Sequence, residues 1–225
     1  MKFCVKLRAA NACFADPITK TGGERQSYPI PTYSGLVGCL QSIYWKPTFW
    51  VCVDRCRVIN PIQMETRGML YPRYDEGEQG DRAYATYLKN VEYNVEAHLE
   101  WDLTRPDLAK DRIPEKHMAM LQRAIRSGRR APFLGKRETE CYAEVSPIND
   151  IMEGQGAYDY IPVTDFGMML HGVSYADKNY EHGKPTDVKE PTGKQFVRLW
   201  DAVMKNGVIT YPHPADMQQF FVREM

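Results

Sequence analysis

Pro114-Glu115-Lys116-His117-Met118-Ala119-Met120-Leu121-Gln122-Arg123-Ala124-Ile125-Arg126-Ser127-Gly128 is the stretch that decides the fold. Pro114 suits the first turn of a helix, where its missing N–H is no loss. Met118, Leu121, Ala124 and Ile125 recur at helical spacing as an apolar stripe, and Gly128 is a natural stop. On either side lie stretches with strand character. Ala85 to Trp101 alternates through Tyr87, Val91, Tyr93, Val95, Ala97 and Leu99, and Thr139 to Val145 reads as a further strand.

Working back toward the N-terminus, Phe3, Val5 and Leu7 alternate with Cys4, Lys6 and Arg8 as a first strand. Asp16 to Pro31 reads as a loop. Thr32 or Ser34 then caps a helix carrying Leu36, Val37, Leu40, Ile43 and Tyr44, and Pro47 ends it. Phe49 to Val58, rich in aromatic and β-branched residues, is a second strand that extends toward Met64. Tyr71 to Asp81 is an acidic, solvated loop. The resulting order is βαββαβ, an α+β plan of the ferredoxin-like, RRM-like kind, in which two helices cover one face of a four-stranded antiparallel sheet. Many functions use this plan, so the order alone selects none.

Residues 1–147 hold that domain, and 148–225 form a smaller C-terminal antiparallel β region. In the latter, Tyr160 to Val173 reads as a strand and Tyr175 to Gly193 as a polar loop. Val197 to Tyr211 reads as a hairpin around Asn206-Gly207, preferred to the short helix that Phe196, Trp200 and Val203 would also suit.

The chain has 225 residues and formal net charge zero, from 29 basic and 29 acidic side chains. Neither a signal peptide nor a membrane span of about 20 apolar residues is expected. Six cysteines in mostly apolar runs read as buried, reduced thiols, so a cytoplasmic location is expected. Cys52 and Cys56 lack a neighbouring Cys or His to complete a zinc knuckle, the histidines are scattered, and no metal or cofactor is called for.

Against this neutral background, Arg105 to Arg137 carries ten basic residues and three acidic ones. Lys116, Arg123 and Arg130 are seven residues apart, with Arg112 and Arg126 flanking them, so a helix lines them into one ridge. The charge continues into Arg129 and into Lys136-Arg137, after Gly135. Such a ridge fits a phosphate backbone, against the plainer alternative of an ordinary solvated face. His117 sits in the first turn, where the helix dipole and Lys116 both favour the neutral ring. It could take a proton from a ribose 2′-hydroxyl or, if protonated, give one to the leaving 5′-oxygen, while Lys116 steadies charge on the phosphorane. RNA would then be cut without metal, leaving a 2′,3′-cyclic phosphate.

Several strings resemble one family in order along the chain. They are Ala12-Cys13-Phe14 with Pro17, Glu24-Arg25, Ser27-Tyr28-Pro29 with Pro31-Thr32 and Ser34, and Ile43-Tyr44-Trp45-Lys46-Pro47. Further on come Lys116-His117, Pro132-Phe133-Leu134-Gly135-Lys136-Arg137-Glu138, Gly167-Met168-Met169-Leu170 and Ala202-Val203-Met204-Lys205-Asn206-Gly207-Val208-Ile209. Together they resemble the type I-C CRISPR-associated Cas5d family. Glu65-Thr66-Arg67-Gly68 departs from the arginine-rich run usual after the second strand.

The resemblance implies a ferredoxin-like (RAMP) domain that binds the CRISPR repeat stem-loop. It implies cleavage of the precursor at the 3′ base of the stem without metal, then retention on the 5′ handle among the other type I-C surveillance complex subunits. It also implies Tyr44, Lys116 and His117 as catalytic residues. Arg25, Lys46, Arg112, Arg123, Arg126, Arg130, Lys136 and Arg137 are the RNA-binding candidates. The alternative is a non-catalytic scaffold on the crRNA handle. A metal-dependent DNA nuclease would need a carboxylate cluster that the sequence lacks.

Overall fold

The computed structural model describes residues 2–19, 24–71, 81–128, 130–176 and 194–224. Arg129, most of the acidic loop and nearly all of the polar loop expected before Gly193 lie outside them. The first half contains β1 (Lys2–Ala12), β2 (Arg25–Gln26), α1 (Tyr33–Ile43), β3 (Phe49–Val58), β4 (Met64–Tyr71) and β5 (Asp81–Trp101). Then follow α2 (Pro114–Ser127), β6 (Tyr142–Ser146), β7 (Thr164–Ala176), β8 (Lys194–Lys205), β9 (Val208–Thr210) and β10 (Phe220–Glu224). Short 3-10 turns occupy Pro106–Asp111, Ile148–Ile151 and Pro214–Asp216.

The chain is an α+β protein on a mostly antiparallel sheet whose central strands run in the order β3-β5-β1-β6. The register explains the core. Leu7 lies opposite Tyr93 on β5 and Ala143 on β6, and Val5 opposite Val95 and Val145. Strand alternation therefore sends Phe3, Val5 and Leu7 to one face, where they join Leu36 and Leu40 of α1 and Leu121 of α2 in the buried core. Burying each such side chain stabilises the fold by roughly 1.5–3 kcal/mol.

Of the two caps considered for α1, Thr32 serves: its hydroxyl accepts the Gly35 N–H at 3.2 Å. Helix α2 starts at Pro114 and ends at Gly128, whose φ of 56° is left-handed. The hairpin forms as the sequence predicts, not the short helix. β8 and β9 meet across a two-residue turn in which Asn206 (φ 46°) and Gly207 (φ 78°) both take positive φ, the conformation a type I′ turn requires.

Four boundaries differ from expectation. β3 stops at Val58, before Pro61, and Met64 begins β4, which pairs antiparallel with the outer half of β5 from Met64–Leu88 to Tyr71–Asp81. β5 itself starts earlier, at Asp81. β6 starts at Tyr142, because the Thr139 hydroxyl closes a turn onto the carbonyls of Leu134 and Lys136. β7 starts at Thr164, after Pro162, which has no N–H to offer a ladder. Beyond residue 147, β9 pairs with β3 (Cys56 opposite Ile209) and β8 with β9, so these strands extend the same sheet.

Candidate active site

Tyr44 ends α1 as its C-cap, and its hydroxyl lies 2.8 Å from Nδ1 of His117, which stands in the first turn of α2. The imidazole is fully buried, 0% exposed, whereas Tyr44 is partly exposed. Aromatic rings enclose the histidine: Phe49 at 5.1 Å and Trp101 at 5.6 Å between centroids. Phe49 and Trp101 face each other across the β3–β5 ladder, so the sheet itself builds this wall.

Hydrogen bonding fixes the tautomer. Nε2 of His117 lies 2.6 Å from the Asp111 main-chain oxygen, which can only accept, so Nε2 carries the proton. In the neutral ring Nδ1 is then the acceptor, and the Tyr44 phenol donates to it. Burial, with the nearby negative charge of Asp111, raises the Tyr44 pKa, so the phenol holds its proton until one is taken from it.

Lys116, one residue earlier and about 100° round α2, is half exposed. Its ammonium lies 2.5 Å from the Asp111 carboxylate, whose other oxygen accepts from Thr48 at 2.8 Å. The Lys116 hydrogen bond, followed by that of Thr48, holds the Asp111 carboxyl below its usual range. Asp111 thus anchors both candidates, Lys116 through its side chain and His117 through its main chain.

The sequence places Lys116 and His117 together on one basic face. In the structure Lys116 faces solvent and His117 lines the interior beside Tyr44, yet both reach Asp111: Lys116 bonds its carboxylate, and His117 Nε2 lies 3.5 Å from the same group. Asp111, Thr48, Phe49 and Trp101 were not singled out from the sequence. Asp111 was one of the three acids within the basic run, and its place just ahead of a helix start was the only available signal.

The RNA-binding candidates fall into three groups. Arg123, Arg126 and Arg130 are exposed, with no ion pair among the described residues, and Lys46 is exposed two residues after Tyr44. Arg112 is instead turned inward, donating to the carbonyls of Asp102 (2.8 Å) and Arg105 (2.9 Å), where it braces the turn leading to Asp111. Arg25, Lys136 and Arg137 meet in a cleft of about 900 Å³ that also involves Phe14 and Gly135. Gly135 is required there. Its φ is 88°, and a Cβ would come within 2.0 Å of the Cys13 carbonyl oxygen. Lys136 Nζ has no hydrogen-bond partner among the described residues and lies 5.8 Å from the Tyr87 ring centre.

All six cysteines are buried free thiols. Among the described residues no helix is long and apolar enough to cross a membrane. Among the described residues, the group of Cys, His and carboxylate side chains close enough to hold a metal ion is Cys52, His98 and Glu100, which does not include the Tyr44–His117 pair.

Comparison with known proteins places these features in context. A family model described as "CRISPR-associated protein (Cas_Cas5)", that of Cas5d, matches residues 3–212. The CRISPR pre-crRNA endoribonuclease Cas5d of Mannheimia succiniciproducens is 30% identical over 224 residues, covering 89% of this chain and 90% of its own. The protein of the same name from Thermus thermophilus is 34% identical over 191 residues, covering 80% and 76%. A crystal structure of a CRISPR-associated protein superposes with a TM-score of 0.73 at 31% identity, over 96% of this chain and 94% of the other. A functionally uncharacterized protein from Streptococcus mutans gives 0.74 at 30%, over 97% and 95%.

Proposed function

The chain belongs to the Cas5d family of CRISPR-associated proteins, and from that premise we propose that it is a metal-independent endoribonuclease of CRISPR repeat RNA. It cleaves the precursor at the 3′ base of the repeat stem-loop and stays on the 5′ handle as a subunit of the type I-C surveillance complex. The β6-β1-β5-β3 order, with α1 and α2 against the sheet, supports reading residues 1–147 as a ferredoxin-like RAMP domain and 148–225 as a smaller β region.

The observation that carries this reading is the 2.8 Å contact between the Tyr44 hydroxyl and Nδ1 of His117. Buried His117 cannot meet RNA, but Tyr44 can. The phenol oxygen takes the proton of the attacking 2′-hydroxyl while its own proton passes to Nδ1. The 2′-oxygen bonds to phosphorus and the P–O5′ bond breaks, leaving a 2′,3′-cyclic phosphate. Lys116 meets the added negative charge on the phosphorane and supplies the proton that the 5′-oxygen takes. His117 then releases its one extra proton through Tyr44 to solvent, and Lys116 takes a proton back from solvent, which resets both groups. This makes His117 a base acting through tyrosine and leaves the acid role to lysine.

The test is a pair of substitutions. Tyr44→Phe keeps the ring but breaks the proton path, and His117→Ala removes its end. Both are expected to bind repeat RNA with wild-type Kd and to cleave about 10²–10⁴-fold more slowly. Tyr44→Phe cleaving at the wild-type rate would overturn the relay. Wild-type protein that binds the repeat and leaves it intact would be a handle-binding scaffold instead.

A further inference from the structure

Arg198 on β8 is a buried cation without a counter-charge. It is 9% exposed, its Nε has no hydrogen-bond partner among the described residues, and no carboxylate among them pairs with it. The other inward-turned arginines are provided for. Arg57 donates to the Ile151 carbonyl at 3.1 Å and to the Asp159 carboxylate at 2.5 Å, and Arg112 has its two carbonyls. Burial holds the Arg198 pKa below its ordinary value, and the Tyr33 phenol opposes that shift. The guanidinium still stays charged at neutral pH. His171, stacked on Tyr33 at 4.1 Å, adds no charge of its own: burial first, and then Arg198, push it down to about 4. A cation left in this state is costly unless an anion completes it.

The side chain is aimed at the start of α1. Arg198 shares the buried face of β8 with Trp200, Ala202 and Met204, which join Tyr33 and Leu36 of α1 in the core. Across the ladder Arg198 lies opposite Gly172 of β7. A Cβ on Gly172 would stand 2.9 Å from Arg198 Nη2 and 3.7 Å from Ser34 Cβ, so the guanidinium tip and the first turn of α1 flank one point. That turn has donors for an anion. The Gly35 N–H goes to Thr32 Oγ1, whereas the N–H groups of Tyr33 and Ser34 have no intrahelical acceptor. Ser34 is exposed, and with Thr32, Gly35 and Leu170 it lines the cleft of about 900 Å³ that Arg25, Lys136 and Arg137 also line.

We propose that Arg198 and the first turn of α1 form a subsite for one backbone phosphate of the repeat RNA, an inference that rests on reading the chain as a nuclease of that RNA. The phosphate oxygens accept from the Arg198 guanidinium and from the Ser34 N–H and hydroxyl, while neighbouring phosphates pass Arg25, Lys136 and Arg137. A guanidinium fork and a helix N-terminus both suit a phosphate. A single acidic side chain of a protein partner would satisfy Arg198 alone; three further cations along the same cleft call for a repeating polyanion. Ser34 and Tyr44 stand at opposite ends of α1, about 15 Å apart along its axis. The helix thus grips RNA at its first turn and presents the catalytic phenol at its last. Arg198 escaped the sequence reading because it lies far beyond the basic run, in a strand whose other inward residues are apolar.

The test measures binding of repeat RNA, made uncleavable by 2′-deoxyribose at the scissile nucleotide, to the full-length wild-type protein and to Arg198→Met. The substitution keeps an unbranched stem and removes the charge. It is expected to weaken binding about tenfold or more and to flatten the slope of log Kd against log salt by about 0.7–0.9, one phosphate contact. The melting temperature should hold or rise, since an unpaired buried charge is gone. Methylphosphonates placed one at a time along the RNA then identify the phosphate: one position should weaken wild-type binding and have no effect on Arg198→Met. Wild-type affinity and slope in the variant, or a lowered melting temperature with every methylphosphonate effect retained, would remove the subsite and leave the nuclease reading standing. Wild-type protein that does not bind the repeat would overturn both.

Discussion

Glu96 is fully buried on β5, yet it stays ionised because Lys2 (2.8 Å) and Arg55 (2.5 Å) both bond to it. Burial alone would raise its carboxyl, and the two hydrogen bonds outweigh that and hold it below the usual range. Because the folded pKa is the lowered one, the stabilisation is complete above the unfolded value of about 4.3 and is lost as pH falls through the folded value. Glu96→Gln is therefore expected to cost roughly 2 kcal/mol at neutral pH, a melting temperature about 5 °C lower, with the difference shrinking in acid. Thermal unfolding of both proteins across pH 3–7 checks this, and a gap that does not narrow below pH 4 contradicts it. Side-chain relationships of this kind were the least legible part of the sequence. Lys116 and His117 were visible as a pair, but helix geometry turns consecutive residues about 100° apart, so the exposure of one and burial of the other emerge only once α2 is docked. Arg112 shows the same limit: a basic residue beside a ridge becomes a brace because two carbonyls lie within its reach.

Elements were read more reliably, wherever one face of each is buried. The apolar stripe of α2, the alternation of β1 and the Asn206-Gly207 turn all left a pattern, and each element forms where that pattern lies. β4 left none. The face carrying Met64, Thr66, Gly68 and Leu70 is exposed and Met69 alone packs inward, against Cys13, Ala85 and Tyr87, so no apolar run marks it, and it forms along the outer half of β5. At α1 the cap makes a direct prediction. Thr32→Ala removes the acceptor for the Gly35 N–H and should lower stability by about 1 kcal/mol. Denaturant unfolding measures this, and an unchanged midpoint would mean that the hydroxyl contributes nothing. Cleavage by the folded variant should remain near wild type, since Tyr44 sits at the opposite end of the helix and is held by Phe49 and His117.

At the scale of the whole molecule, two helix ends meet over one sheet, and that meeting sets a partly exposed phenol 2.8 Å from a buried imidazole, the pair through which we propose the proton moves. The βαββαβ order supplied the helices, and a resemblance spread over nearly the whole chain supplied Tyr44; the order alone did not. The continuation of the sheet through β9 and β8 was not visible, because the β3–β9 pairing joins residues about 150 positions apart with no local signal. Arg123, Arg126 and Arg130 of the basic ridge face solvent, while Lys116 at its head meets the Tyr44–His117 pair through Asp111. The most direct measurement is cleavage of the cognate repeat RNA in excess EDTA, with either ribose or 2′-deoxyribose at the scissile nucleotide. The account predicts cleavage of the ribose substrate to a 2′,3′-cyclic phosphate end and none of the deoxy substrate. Cleavage that requires magnesium and proceeds on the deoxy substrate would contradict it.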